Sequence, residues 1–157
     1  MKIVVVGVGN PILRDDSVGL KVAERAAEEL RRRGIEVHLE LMTTTDFDVI
    51  SKISGYDCAV IVDGLLGDEP GKIRVMDLED FGPSLSFSGS HSLSLPTSLK
   101  IGYELFGEEM PEKLAIVAIE VEDPYTFSTE CTEKVEGAIP SAVKKVVEIV
   151  EGFRAGH

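Results

Sequence analysis

The chain has 157 residues and carries 16 Lys+Arg against 28 Asp+Glu, a formal net charge of −12. That length predicts one domain spanning 1–157, and 43% hydrophobic with 28% charged residues excludes a disordered chain. The acidic surplus argues against nucleic acid as a partner and against an anionic membrane surface.

Ile3 to Val8 is a near-continuous β-branched run, the pattern of a central, buried parallel strand. It is too short for a signal peptide, and no stretch reaches the roughly 18–20 apolar residues of a membrane span. After the loop Gly9 to Asp16, a first helix is predicted to start at Asp16 or Ser17, with Leu20, Ala23, Ala27 and Leu30 on one face and Gly34 closing it. Glu36 to Met42 alternates polar and apolar residues and reads as an edge strand. Thr43-Thr44-Thr45 is a polar loop, with Asp46 as the cap of a short helix that carries Phe47, Ile50 and Ile53.

Cys58 to Val62 is fully apolar and reads as a second central strand. Only ten residues, 63 to 72, separate it from the next strand, Ile73 to Met76, eight of them the loop Gly64 to Gly71. A parallel crossover needs about a dozen, so that strand is predicted to run antiparallel. A Ser/Gly-rich segment, Phe81 to Ser94, leads into a helix with Pro96 in its first turn. A strand over Leu114 to Ile119 and a loop over Glu120 to Cys131 follow. The final helix, about Thr132 to Phe153, is expected to break or kink at Pro140. The expected architecture is a three-layer α/β/α sandwich around a five-stranded, mostly parallel sheet with one strand antiparallel.

Ligands of such sheets bind beyond the carboxyl ends of the parallel strands. Asp16 ends the loop after the first strand, and Asp63 follows the apolar run of the third. His91 precedes a helix whose N-terminus must lie at the same edge. Two carboxylates and one imidazole facing one cleft make a divalent-metal site with open positions. Each has a plainer role open to it: a helix cap for Asp16, a turn residue for Asp63, a loop histidine for His91. His38, on a strand face, and His157, in the tail, are poorly placed as ligands.

Asn10 is the only Asn and there is no Gln, a scarcity of thermolabile amides that is thermophile-like. A turn residue in the left-handed region is the simplest role for Asn10. Gly7-Val8-Gly9 does not complete a dinucleotide fingerprint, because Ile12 stands at the third Gly and Asp15-Asp16 would repel phosphates. No GxSxG or HExxH is present, and Cys58 and Cys131 belong to no CxxC, so a reducing cytoplasm is the expected compartment.

Gly7-Val8-Gly9-Asn10-Pro11-Ile12-Leu13-Arg14-Asp15-Asp16-Ser17-Val18-Gly19 resembles the opening signature of the hydrogenase maturation proteases. The resemblance continues through Ile61-Val62-Asp63-Gly64, Ser90-His91 and Ile119-Glu120. It implies an endopeptidase that removes the C-terminal peptide from the nickel-loaded precursor of a [NiFe]-hydrogenase large subunit. The nickel is carried by that precursor, and the protease acts as a monomer. The resemblance further implies Asp16, Asp63 and His91 as the metal contacts, with Asp16 or Asp63 activating water. His91 must be neutral to ligate, so activity should fall at acid pH. Some members carry Glu at the position of Asp16. Thr43, Thr44 and Thr45, in the loop after the second strand, stand where several members have a Gly-rich stretch that helps recognise the substrate, and the resemblance implies them, with Asn10, as substrate-binding residues. The pattern is closer to archaeal relatives serving hydrogenases of the coenzyme F420-reducing type. The alternative is a nickel- or precursor-binding chaperone without catalysis; a nucleotide-binding protein is disfavoured.

Overall fold

The computed structural model describes residues 1–43, 48–80, 86–87 and 94–156. Strand β1 spans Ile3–Val8 and is buried throughout. Its β-branched side chains divide between two cores: Ile3 and Val5 face one layer, Val4, Val6 and Val8 the other. Strand β3, Cys58–Leu66, divides the same way, with Val60 and Val62 opposite Ala59 and Ile61. Burial on both faces is why these runs lack the polar alternation of a surface strand.

The strand order is β2 (His38–Met42), β1, β3, β6 (Lys113–Val121), β4 (Ile73–Met76). β1 pairs parallel with β2 and β3, and β3 pairs parallel with β6. β4 pairs antiparallel with β6, as the short link predicts, and lies beyond it at the sheet edge. A two-residue strand β5, Ser86–Phe87, pairs antiparallel with Leu65–Leu66 at the carboxyl end of β3. β3 runs four residues past the expected Val62 because Asp63 to Leu66 pair in register with Ala118 to Val121. Backbone pairing continues through a polar side chain to which an apolar-run criterion is blind.

Helices α1 (Val18–Arg32) and α4 (Glu133–Ala155) cover one face of the sheet, and α2 (Asp48–Ile53) and α3 (Ser94–Phe106) the other. Gly34 closes α1 with φ +81°, the left-handed conformation that glycine adopts at least cost. α4 is one continuous helix across Pro140, so of the expected break or kink the break does not occur. Val135, Ile139, Ala142, Val146, Val147 and Val150 form a single buried stripe along both halves. Pro140 itself is exposed, so water can satisfy the carbonyl it leaves unbonded.

The seating of α1 positions the site. Its first turn lies against the ends of β1 and β3 through Gly19, where an added Cβ would stand 2.5 Å from the Val8 carbonyl oxygen and 2.6 Å from that of Val62. At Gly7 a Cβ would stand 2.8 Å from both the Ala23 Cβ and the Gly19 carbonyl oxygen. At Gly9 it would overlap the Asp16 carbonyl. The three glycines thus permit a close approach of helix to strands.

Gly19→Ala should cost about 3 kcal/mol by overpacking, lowering Tm by roughly 10 °C. Gly137→Ala, where a Cβ meets nothing within 4 Å on exposed α4, should instead hold or raise Tm. Paired thermal melts test both.

Candidate active site

The loop leaving β1 closes through a 3-10 turn, Arg14–Ser17, in which Asp15, Asp16 and Ser17 are all buried. α1 therefore begins at Val18 with Ser17, one of the two expected cap residues, at its N-cap position. Asp16 stands just outside the helix, and its Oδ2 accepts the Asn10 amide at 3.0 Å. The Asn10 side chain in turn accepts the Ile12 amide at 3.1 Å, forming an Asx turn. No residue other than glycine has positive φ among those described, so Asn10 shapes the loop through its side chain and not through a left-handed backbone.

Asp63 lies within β3 at its carboxyl half and is 1% exposed. Its Oδ1 accepts the Gly64 amide at 2.8 Å. Its Oδ2 is buried with no hydrogen-bond partner among the described residues. Burial pushes the Asp63 carboxyl well above the ordinary carboxylate range, and the nearby Asp16 charge pushes the same way against the Gly64 amide. Asp16 is likewise 1% exposed. Two neighbouring carboxylates out of water can be reconciled by a shared proton or by a cation. Carboxylate oxygens are apt donors for a divalent ion.

Of the residues singled out from the sequence, the fold thus brings Asp16 and Asp63 to one edge. His91, Thr44 and Thr45 lie outside the described residues, as do Asp46 and Phe47. Thr43 is exposed just past β2. Among the described residues no group of three or more His, Cys, Asp and Glu side chains is arranged to hold a metal. His38 is exposed and packs edge-on against Tyr56, with ring centroids 5.3 Å apart. Both cysteines are free.

Sequence reasoning missed Asp15. Its carboxylate is fully buried and accepts four hydrogen bonds: from the Glu122 and Asp123 amides at 2.9 and 2.8 Å, and from the Thr132 amide and hydroxyl at 2.7 and 2.8 Å. It pins the loop after β6 to the turn that carries Asp16. Read as a sequence, Asp15-Asp16 is an acidic pair, and nothing local distinguishes the member that organises a distant loop. Glu120, at the start of that loop in the sequence reading, is instead part of β6 and buried. Burial alone would raise its carboxyl, but the Glu69 amide and Arg74, 3.0 and 3.1 Å away, hold it below the usual range. Glu120 is therefore a structural carboxylate.

Two substitutions separate these roles. Because the folded-state pKa of Asp63 is raised, its ionisation opposes folding, and the penalty grows as pH rises past the unfolded-state value. Asp63→Asn in metal-free protein should thus raise Tm at pH 7, with the gain shrinking towards pH 4. Asp15→Ala removes four acceptors at once and should cost about 3 kcal/mol, read as a lower denaturant midpoint with faster amide exchange over 122–132. Asp15→Asn, keeping one acceptor oxygen, should cost less.

Comparison with known proteins identifies the family. The model of the hydrogenase maturation protease family matches residues 21–149, a span that contains Asp63 and His91 and begins just after Asp16. Protein FrxA of Pyrococcus furiosus is 29% identical over 138 residues, 87% of this chain and 96% of that protein. The hydrogenase maturating endopeptidase HybD from E. coli superposes with a TM-score of 0.74 at 22% identity, covering 98% of this chain and 94% of that one. The [NiFe] hydrogenase maturation protease HybD from Thermococcus kodakarensis gives 0.70 at 19%, covering 95% and 99%. These structures share the fold of a helix-flanked, mostly parallel sheet. With the family match extending from α1 into the last turns of α4, this chain belongs to the hydrogenase maturation protease family.

Proposed function

We propose that the protein is the endopeptidase that removes the C-terminal peptide from the nickel-loaded precursor of a [NiFe]-hydrogenase large subunit. The observation that carries this reading is the buried Asp63 carboxyl beside Asp16, with one oxygen unpartnered among the described residues. A carboxylate in that state is costly in an empty site and is stabilised by a cation. In this reading the cation is the nickel that the precursor brings. Asp16 and Asp63 hold it with His91, which supplies the imidazole donor that nickel accepts. The ordered Asn10 turn and Thr43, Thr44 and Thr45 bind the precursor chain around it.

Nickel held this way orients the precursor tail over the two carboxylates, and Asp16 or Asp63 takes the proton from the attacking water. The raised proton affinity of Asp63 suits a group that accepts a proton. No helix among the described residues is long and apolar enough to cross a membrane. Together with two free cysteines, this supports action in the cytoplasm, where thiols stay reduced.

Purified protein mixed with nickel-loaded precursor should release the C-terminal peptide, and nickel-free precursor should stay intact. Mass spectrometry of the products reads both. Asp16→Ala, Asp63→Ala and His91→Ala should each lower the cleavage rate by at least about a hundredfold while circular dichroism remains parental. Tight binding of the nickel-loaded precursor without any cleavage would replace the protease by a non-catalytic chaperone.

A further inference from the structure

Next to the carboxylates the chain exposes an apolar ribbon. Ile12 is 52% exposed, Tyr125 70% and Phe127 80%. They sit on two loops joined by main-chain bonds. Leu13 pairs with Phe127 in an antiparallel bridge, the Arg14 amide donates to the Thr126 carbonyl at 3.0 Å, and the Ser128 amide donates to the Ile12 carbonyl at 2.9 Å. Asp15 clamps one end of this ribbon, and Lys21 donates to the Thr129 carbonyl at 2.7 Å near the other. Large apolar side chains are thus held in water on a backbone already ordered. That arrangement lowers the entropy cost of covering them.

We infer that this ribbon is the docking surface for an extended, apolar stretch of the polypeptide substrate beside its scissile bond. The inference rests on the protease reading above. Continuity is the first argument: Leu13 and Arg14 of the ribbon run directly into the turn that carries Asp16, so a chain lying on the ribbon passes on to the carboxylates. Size is the second. One isoleucine and two aromatic side chains offer on the order of 400 Å², about half of what each partner of a stable dimer buries, but enough for a few residues of peptide. Charge is the third. The exposed carboxylates of the ribbon are Glu122 and Glu130, within a chain of net −12, which repels a second copy and selects a neutral or basic segment.

The test measures cleavage of nickel-loaded large-subunit precursors from the source organism by the parent chain and by an Ile12→Ser/Tyr125→Ser/Phe127→Ser variant. KM should rise by at least about tenfold with kcat within about twofold, because these side chains hold substrate and touch no reacting atom. Phe127→Leu should restore most of the loss when the other two positions are parental. Leu105→Ser, 68% exposed at the opposite end of the sheet, should leave KM unchanged. The substituted side chains lie in water, so Tm should stay parental. Parental KM in the triple variant would overturn the docking surface and leave the protease reading standing. No cleavage of any precursor by the parent chain would overturn both.

Discussion

Everything distinctive in this molecule depends on how closely α1 approaches the carboxyl ends of β1 and β3. A single Cβ at Gly19 would press into two strand carbonyls, and one at Gly9 would overlap the Asp16 carbonyl. With hydrogen in those places, the turn before α1 sinks against the sheet and carries Asp16 out of water beside Asp63. The charge conflict that results is expensive in isolation. It persists because the surrounding core is rigid and large, with β1 and β3 buried on both faces.

The buried carboxylates of this edge are built to different ends. Asp15 and Glu120 are saturated: four donors converge on the first, and an amide and a guanidinium on the second. Their charges are met by hydrogen-bond donors within the fold, and these bonds hold loops in place. Among the described residues, Asp63 accepts one amide, from its own strand neighbour, and lies near the Asp16 carboxylate. Saturation marks a structural acid, and a deficit marks a candidate for a functional one. Local sequence does not distinguish them, since Asp15 and Asp16 are neighbours.

Loop order follows from the same network. The ribbon that presents Tyr125 and Phe127 has no apolar core of its own; it is held by main-chain pairing to residues 12–15 and by the Asp15 carboxylate. A carboxylate that bonds backbone amides orders a loop without depending on which side chains that loop displays. The displayed residues are therefore free to match a partner while the turn beneath them stays constant.

The strand runs, the edge position of β2, the antiparallel β4 and the placement of Asp16 and Asp63 were legible in the linear chain, because burial pattern, link length and sheet handedness are local or topological properties. The extension of β3 past Asp63 was not, since backbone pairing ignores the polarity that ends an apolar run. Nor was the continuity of α4 across Pro140, where a stripe of buried residues outweighs one lost hydrogen bond. The sequence by itself determined the layers and the sheet edge at which Asp16 and Asp63 lie. Only the tertiary structure decided that one Asp63 oxygen meets no donor among the described residues while Asp15 accepts four hydrogen bonds, because hydrogen-bond satisfaction depends on residues more than a hundred positions away, brought together by the folded sheet.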